Sequence, residues 1–187
     1  HYFSDPLQAQ PTEGFTALVG RLLDHPGIRV ELSTPVDAGR DRSQARHLVW
    51  TGHLDACFGH RLGRLPWRCL RFEHLHLAQD GLALPAPVVN ECDPEPAFTR
   101  TTEFRWMTGE AGPGTSLVRE WPGDVGEAAY PVPGPASRDL AQKYRDLAAA
   151  DAGLHLLGRL GTYRYLNMDQ AVGEALALAG RLLAHPP

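Results

Sequence analysis

The central third of the chain constrains the fold most, because its apolar residues come in short runs separated by turn residues. Runs of this kind are typical of an antiparallel sheet, whereas an amphipathic helix repeats its apolar positions every three to four residues. The stretch from Arg61 to Tyr130 therefore predicts several strands. The predicted strands are Cys69 to Phe72, His74 to Leu77, Pro87 to Asn90, Phe98 to Phe104 and Ser116 to Trp121.

The regions on either side of this central third show a different sequence pattern, which combines helical periodicity with short apolar runs that end at glycine. Apolar spacing predicts a helix from Phe15 to His25, which Pro26 and Gly27 terminate. Asn167 followed by Gln170 forms a capping-box pattern and predicts a second helix. We also expect strands at residues 28–33, 47–52 and 154–158, a helix at 139–150, a surface loop at 37–46 and a connection at 125–136.

Composition limits the classes of function. The chain has 187 residues, of which 43% are apolar and 21% charged, as in a soluble globular protein. Its net charge of −4 without a basic run argues against general nucleic-acid binding. No apolar stretch approaches the roughly 20 residues that span a bilayer, so no membrane contact is expected. Three cysteines without a paired spacing favour reduced thiols and a cytoplasmic location.

Two other chemistries, a metal site and a serine hydrolase, have weaker support in the sequence. His74 and His76 on one strand would present both imidazoles on the same face, with Cys69 near in sequence. No third or fourth ligand has a supporting spacing, so no metal site is predicted. Ser116 lies in no nucleophile-elbow pattern, which argues against a serine hydrolase.

The stretch from Gly158 to Asp169 carries the strongest candidate for function. Its letters, GRLGTYRYLNMD, predict a strand end, a glycine turn and the start of a helix. A helix start offers free N–H groups and the positive end of a dipole, which suits a phosphate or the electron-rich edge of a flavin. The same pattern also fits an ordinary strand-to-helix turn with surface arginines, and both interpretations stay open from the residues alone.

The sequence of this stretch resembles the signature that closes the flavin site in UDP-galactopyranose mutases. Similar matches follow in family order along essentially the whole chain. They are Tyr2-Phe3-Ser4-Asp5, Gly14-Phe15-Thr16, Thr51-Gly52, Leu54-Asp55, Arg64-Leu65-Pro66-Trp67-Arg68, Leu70-Arg71-Phe72-Glu73, Val89-Asn90, Phe98-Thr99-Arg100, Arg119-Glu120-Trp121 and Tyr130-Pro131.

The resemblance implies an isomerase that interconverts UDP-galactopyranose and UDP-galactofuranose, in galactofuranose biosynthesis for cell-wall or capsule polysaccharide. In that family reduced FAD is the nucleophile, and an adduct of the sugar with flavin N5 allows the ring to open and reclose as UDP leaves and returns. The protein supplies position and electrostatics. A relative of the flavin amine oxidases or phytoene desaturases would share the glycine followed by a helix. Those families lack the other residues of the GRLGTYRYLNMD stretch.

The resemblance also implies roles for particular residues. Arg100 matches a catalytic arginine that contacts the diphosphate. Arg159 and Met168 match flavin-contacting positions. The positions that match substrate-binding residues are Tyr2, Arg68, Asn90, Tyr130, Tyr165 and Asn167. Three departures stand out, because Asn167 replaces the usual Asp, Phe104 replaces the usual His, and one tyrosine is lost beside Tyr130.

The chain contains no G-x-G-x-x-G, the dinucleotide fingerprint that the family carries near its own N-terminus. We therefore expect the chain to correspond to the C-terminal half of such an enzyme and to retain FAD weakly or not at all. The expected partners are UDP-galactose and either a second copy or a missing N-terminal half that covers exposed apolar edges. The alternative function is a non-catalytic domain, derived from a mutase, that binds a sugar nucleotide or a partner protein.

The predicted fold class is α/β with mixed α+β character, in two interleaved parts. Residues 1–26 and 59–130 are expected to form a substrate-side helix and antiparallel sheet. Residues 27–58 and 131–187 are expected to form part of a three-layer, Rossmann-like FAD-binding domain.

Overall fold

A computed structural model describes residues 6–184 of the chain. Its helices and strands alternate irregularly along the sequence. In chain order they are α1 Gly14–Leu23, α2 Ala38–Arg42, β1 Leu48–Trp50, a 3₁₀ turn Ala56–Phe58, β2 Trp67–Leu77, β3 Val88–Asn90, β4 Arg100–Glu103, α3 Arg105–Thr108, β5 Thr115–Gly123, β6 Glu127–Pro131, α4 Pro135–Ala149, β7 Leu154–Leu156, α5 Gly158–Thr162 and α6 Met168–Ala184.

The chain divides into two compact units. Unit 1 consists of the described residues through Thr34 together with Leu70–Gly123, and unit 2 consists of Pro35–Cys69 together with the described residues from Asp124 onward. The strands form two sheets. One is the parallel pair β1-β7, and the other has the order β3-β4-β5-β2-β6 and contains the antiparallel pair β3-β4. The protein is thus a mixed α/β structure with both parallel and antiparallel pairing. The assignment of substrate-side and FAD-side roles to separate parts of the chain stays a prediction.

Most predicted elements are confirmed, with small shifts of their ends. The predicted helices at 15–25 and 139–150 correspond to α1 and α4, and the two glycine-ended strands correspond to β1 and β7. The two runs on either side of Glu73 form one eleven-residue strand, β2, rather than two.

Three sequence predictions were wrong. Residues 28–33 form no strand, since Ile28, Val30 and Leu32 stay exposed and Ser33 has a left-handed φ of 54° that breaks an extended run. The predicted connection at 125–136 contains strand β6. The predicted loop at 37–46 contains helix α2, because the Asp37 side chain caps it by accepting a hydrogen bond from the Arg40 amide.

The parallel strands β1 and β7 pair from Leu48 opposite Leu154 to Trp50 opposite Leu156. The chain after β7 passes close to the end of β1, where a Cβ built on Gly161 would come within 2.5 Å of the Trp50 carbonyl oxygen. Any larger residue would push the strand end and α5 apart, so the second glycine of the GRLG stretch is required by packing.

An apolar core holds unit 2 together. It consists of Leu54, Leu65, Ala141, Tyr144 and Tyr163, which all lie below one-tenth exposure. Helix α4 buries Ala141, Tyr144 and Ala148 at spacings of three and four residues, as expected for one face of a helix.

The interior of unit 1 is more polar. Glu103, at the end of β4, is fully buried and accepts hydrogen bonds from the Ala83 and Leu84 amides and from the Thr115 hydroxyl. Burial acts to raise the pKa of Glu103, but these hydrogen bonds and the charge of Arg105 outweigh it, so the pKa lies below its ordinary value. Glu103 therefore ties the 83–84 loop to the sheet as a carboxylate.

Within the described part of the chain, no helix combines the length and apolar character needed to cross a membrane.

Candidate functional site

The GRLGTYRYLNMD stretch folds as two helical pieces joined by a bend. Helix α5 starts at Gly158, whose φ is 76°, and ends at Tyr163, which adopts the left-handed conformation with φ of 51°. Helix α6 begins at Met168, and the Asn167 amide donates to Gln170 Oε1 at 2.9 Å. This contact confirms one half of the predicted capping box. The predicted simple glycine turn was incomplete, because a short helix lies between β7 and the bend.

Three residues that the sequence singles out come together in unit 2. The rings of Tyr130 and Tyr165 are stacked, with centroids 5.7 Å apart and planes inclined by 14°. The Arg159 guanidinium carbon lies 4.5 Å from the Tyr165 ring centroid and 5.5 Å from that of Tyr130. We call Tyr130, Arg159 and Tyr165 the tyrosine–arginine cluster. It combines a planar cation with two π-faces.

Backbone carbonyls hold the cation of this cluster in place. Arg159 Nη1 donates to the Ala129 carbonyl at 2.9 Å, and Nη2 and Nε donate to the Leu166 carbonyl at 2.7 and 3.2 Å. Three of the five guanidinium N–H groups are thereby used within the protein. Arg159 is half-buried, whereas Tyr165 is 59% exposed, so the cluster offers a fixed charge beside an accessible aromatic face.

Tyr163, two residues before Tyr165, is buried. Its hydroxyl lies 2.6 Å from the Pro66 carbonyl oxygen and 3.3 Å from that of Val132. Its ring meets Trp67 edge to face at 5.0 Å. Burial raises the pKa of Tyr163 above its ordinary value, which keeps the hydroxyl a donor.

In unit 1 two predicted site residues are direct neighbours. Asn90 on β3 pairs with Arg100 on β4, and Arg100 pairs with Glu120 on β5. Directly opposed residues share a face of the sheet, so the three side chains form one row across three strands. We call Asn90, Arg100 and Glu120 the strand row.

The charge of Arg100 is only partly balanced within the strand row. Its Nε lies 3.5 Å from Glu120 Oε2, which is an ion pair but exceeds a good hydrogen-bond distance. That Nε is buried and has no hydrogen-bond partner among residues 6–184. The side chain as a whole is 41% exposed, and an accessible arginine is suited to bind an anion.

The other predicted site residues belong to neither group. Arg68 on β2, in unit 2, is exposed and pairs with Asp124 at 2.8 Å. Asn167 is half-buried and Met168 is 67% exposed at the start of α6. Tyr2 lies outside the described residues. Phe104, the departure from the family's His, is 49% exposed at the end of β4.

A cavity of about 990 Å³ lies within unit 2. Helices α4 and α6 and strand β7 line it with mostly apolar side chains, and Arg138, Arg145 and Arg181 add charge. Its wall includes Tyr130 and Tyr165 of the tyrosine–arginine cluster. No group of three or more His, Cys, Asp and Glu side chains that could hold a metal ion occurs in the described residues.

Sequence reasoning missed two contributors to these sites. In the sequence Glu120 is only the middle residue of the Arg119-Glu120-Trp121 motif, and the antiparallel register is what places its carboxylate directly opposite Arg100. Tyr163 was not singled out, because a tyrosine in a turn gives no sign that its hydroxyl reaches two distant carbonyls. Strand register in the first case and a three-segment contact in the second are properties of the folded chain.

Comparison with known proteins gives a consistent result. The family model for UDP-galactopyranose mutase matches residues 1–165. A probable UDP-galactopyranose mutase of Klebsiella pneumoniae is 33% identical over 98% of this chain and 48% of its own length. A dTDP-fucopyranose mutase of Escherichia coli is 30% identical over 96% of this chain and 50% of its own length. The UDP-galactopyranose mutase of Mycoplasma pneumoniae is 31% identical over 95% and 48%, respectively.

The chain spans about half the length of the curated relatives it matches. The family model nevertheless covers most of the chain, including the strand row and the tyrosine–arginine cluster. The chain belongs to the UDP-galactopyranose mutase family.

Proposed function

We propose that this chain provides substrate- and flavin-contacting residues of a nucleotide-sugar mutase that interconverts UDP-galactopyranose and UDP-galactofuranose. The observation that carries the proposal is the tyrosine–arginine cluster, which joins Tyr130 to two residues of the GRLGTYRYLNMD stretch. Aromatic faces beside a fixed cation suit a sugar attached to a charged leaving group.

A nucleotide sugar carries a negatively charged diphosphate, which arginine side chains are suited to bind. In unit 1, Arg100 has a side chain that is 41% exposed and is proposed to stabilise the charge that develops on UDP as it leaves. Asn90, its cross-strand neighbour, supplies an amide for the nucleotide. In unit 2, exposed Arg68 is proposed to exchange its pairing with Asp124, a weak surface contact, for the nucleotide.

The residues near the start of α6 fit a flavin. Arg159 offers a rigid planar cation, and exposed Met168 offers an apolar, polarisable contact at a helix N-terminus. These two residues are proposed to hold the flavin, while Tyr130, Tyr165 and Asn167 orient the sugar. Reduced FAD, when bound, supplies the nucleophile for the ring exchange. We further propose that unit 2 belongs to a Rossmann-like FAD-binding layer, to which β1 and β7 contribute parallel strands.

The apolar cavity beside β7 also suggests a polypeptide partner. A two-stranded parallel sheet is rare in isolation, since parallel strands are normally buried on both faces by further elements. Helix α6 exposes Val172, Leu176 and Leu183 in the same unit. We propose that the part of a mutase polypeptide outside the matched region covers this surface, in place of a second copy of the chain.

Ligand titration tests the function directly. We expect calorimetry of the full chain to show binding of UDP more tightly than of dTDP, and fluorescence to report FAD binding. After dithionite reduction, UDP-galactofuranose should be converted to UDP-galactopyranose only when FAD is present. UDP binding without flavin binding would favour the non-catalytic sugar-nucleotide domain, whereas tighter binding of dTDP would point to a different nucleotide sugar.

A matched pair of variants sharpens this test. Arg68 and Arg40 are both exposed arginines of unit 2 that pair with an aspartate, Asp124 or Asp41. Arg68→Met should raise the Kd for UDP about tenfold, as expected for loss of one charged contact. Arg40→Met should leave it unchanged. Equal effects of the two variants would contradict the proposed role of Arg68.

The partner proposal has its own measurement. The Klebsiella pneumoniae relative supplies a polypeptide that corresponds to the region outside the match, and sedimentation can follow its mixture with this chain. A one-to-one complex that also retains FAD supports the proposal. A homodimer that excludes this polypeptide would instead identify a second copy as the occupant.

A further inference from the structure

The hydroxyl of Tyr163 connects three segments that carry proposed ligand-binding residues. It lies 2.6 Å from the Pro66 carbonyl oxygen, two residues before Arg68. It lies 3.3 Å from the Val132 carbonyl oxygen, two residues after Tyr130. Tyr163 itself precedes Tyr165 by two residues. A single side chain thus contacts the immediate neighbourhood of each residue.

The connection is reinforced by a direct backbone contact and by packing. The Val132 amide donates to the Pro66 carbonyl oxygen at 3.3 Å, so this oxygen receives hydrogen bonds from two segments. The Tyr163 ring is 7% exposed and packs edge to face on Trp67, the residue between Pro66 and Arg68. Because a hydroxyl has one hydrogen, the shorter bond to Pro66 dominates and the contact with Val132 is secondary.

The backbone of Tyr163 shows that this placement is enforced. A tyrosine in the left-handed region, with φ of 51°, is strained relative to glycine. The conformation ends α5 and turns the chain so that Tyr163 points into the core while Tyr165 stacks on Tyr130. The strain persists because the hydroxyl and the ring are both held by their surroundings.

We propose that Tyr163 is a positioning residue, whose hydroxyl keeps the segments of Arg68, Tyr130 and Tyr165 in register for nucleotide-sugar binding. The inference rests on the proposed function and adds to it a residue that contacts no ligand. It acts through the backbone of the residues that do.

The chain offers a matched control in Tyr144. Tyr144 belongs to the same apolar core, and its hydroxyl also serves two backbone groups, donating to the Gly63 carbonyl at 2.7 Å and accepting from the Leu62 amide at 3.0 Å. Those groups belong to the loop before β2 and not to the segments around Tyr130 or Tyr165. Tyr144→Phe and Tyr163→Phe therefore remove comparable hydrogen bonds from one core.

The experiment compares these two variants in the full chain by two measurements. Hydrogen exchange should accelerate in residues 128–133 and 163–168 for Tyr163→Phe, and around residues 60–64 for Tyr144→Phe. The Kd for UDP should rise about fivefold for Tyr163→Phe, the loss expected for one neutral hydrogen bond, and stay within about twofold for Tyr144→Phe.

The possible outcomes distinguish failure of the positioning role of Tyr163 from failure of the proposed function. Equal loss of UDP affinity in both variants, or unchanged exchange at residues 128–133 and 163–168 in Tyr163→Phe, would overturn the positioning role. If the unmodified chain binds no UDP, the proposed function fails for this chain. The exchange pattern then still decides whether Tyr163 sets the register of these segments.

Discussion

The two units hold themselves together by different means. Unit 2 buries a cluster of apolar and aromatic side chains around Leu54 and Tyr144, neither of which is exposed. Among its described residues, unit 1 buries few apolar side chains, namely Leu70, Leu117 and Val118. The buried polar side chains among the same residues are Thr101, Thr102, Glu103 and Thr115.

This difference predicts which kind of substitution destabilises each unit most. Apolar packing is non-directional and scales with the area removed from water. Buried polar groups instead depend on every hydrogen bond being made, because an unsatisfied partner costs its full desolvation penalty. Unit 2 should therefore respond most to changes of volume, and unit 1 most to changes of hydrogen-bonding chemistry.

The largest effect is expected from a cavity in unit 2. Leu54→Ala should lower the free energy of unfolding by about 3 kcal/mol, since the side chain is fully buried in the core. Leu62→Ala, at a position 42% exposed in the same unit, should cost less than about 1 kcal/mol. Urea unfolding measures both, and similar losses would mean that Leu54 is not central to the core.

A smaller but still clear effect is expected in unit 1 from an isosteric change. Glu103→Gln replaces a carboxylate oxygen with an amide group that cannot accept from the Ala83 and Leu84 amides together with the Thr115 hydroxyl. We expect a loss of about 2 kcal/mol in unfolding free energy. Exposed Glu110→Gln is the control and should be neutral. A neutral Glu103→Gln would remove the contrast between the units.

Arg159→Lys should have an intermediate to small effect on stability but a local effect on the tyrosine–arginine cluster. An ammonium cannot reproduce the planar fork that bonds the Ala129 and Leu166 carbonyls. We expect a loss of about 1 kcal/mol, together with faster hydrogen exchange around residues 129–130 and 164–167. Unchanged exchange would show that the stacked tyrosines hold their geometry without the guanidinium.

The smallest expected effect is the loss of stability in acid, which should begin at a different pH in each unit. Burial, aided by the charges of His47, Arg181 and Arg42 and opposed by that of Asp151, lowers the pKa of His155 below its ordinary 6.5. The unfolded state therefore binds the proton more readily, so stability in unit 2 falls as pH drops below about 6.5.

Glu103 has a pKa below its ordinary 4.5, so its contribution is present above that pH and is lost as pH falls through the folded-state pKa. Acid should thus weaken unit 2 before unit 1. Hydrogen exchange at pH 7, 5.5 and 4 measures the order, and His155→Gln should flatten the first step. Loss of protection in unit 1 first would contradict it.

Much of the local structure could be predicted from the sequence. Helical spacing located α1 and α4, alternating short runs located most strands of unit 1, and the capping pattern located the start of α6. Each of these signals acts over a few residues. Two of the wrong predictions concern contacts between residues that are distant in sequence. Residues 28–33 alternate like a strand but pair with no strand among residues 6–184, whereas β6 forms in a segment that contains Pro and Gly because it pairs with β2.

The candidate site divides along the same line. The sequence determined which residue types stand in the mutase-like stretch, and it was enough to identify Arg100, Arg159, Tyr130 and Tyr165 as candidates. Only the tertiary structure decided that Tyr130 and Tyr165 stack, that Arg159 is fixed by carbonyls, and that Tyr163 joins segments 31 and 97 positions away. The physical reason is that local propensity is set by neighbours in sequence, whereas strand register and shared hydrogen bonds are set by neighbours in space.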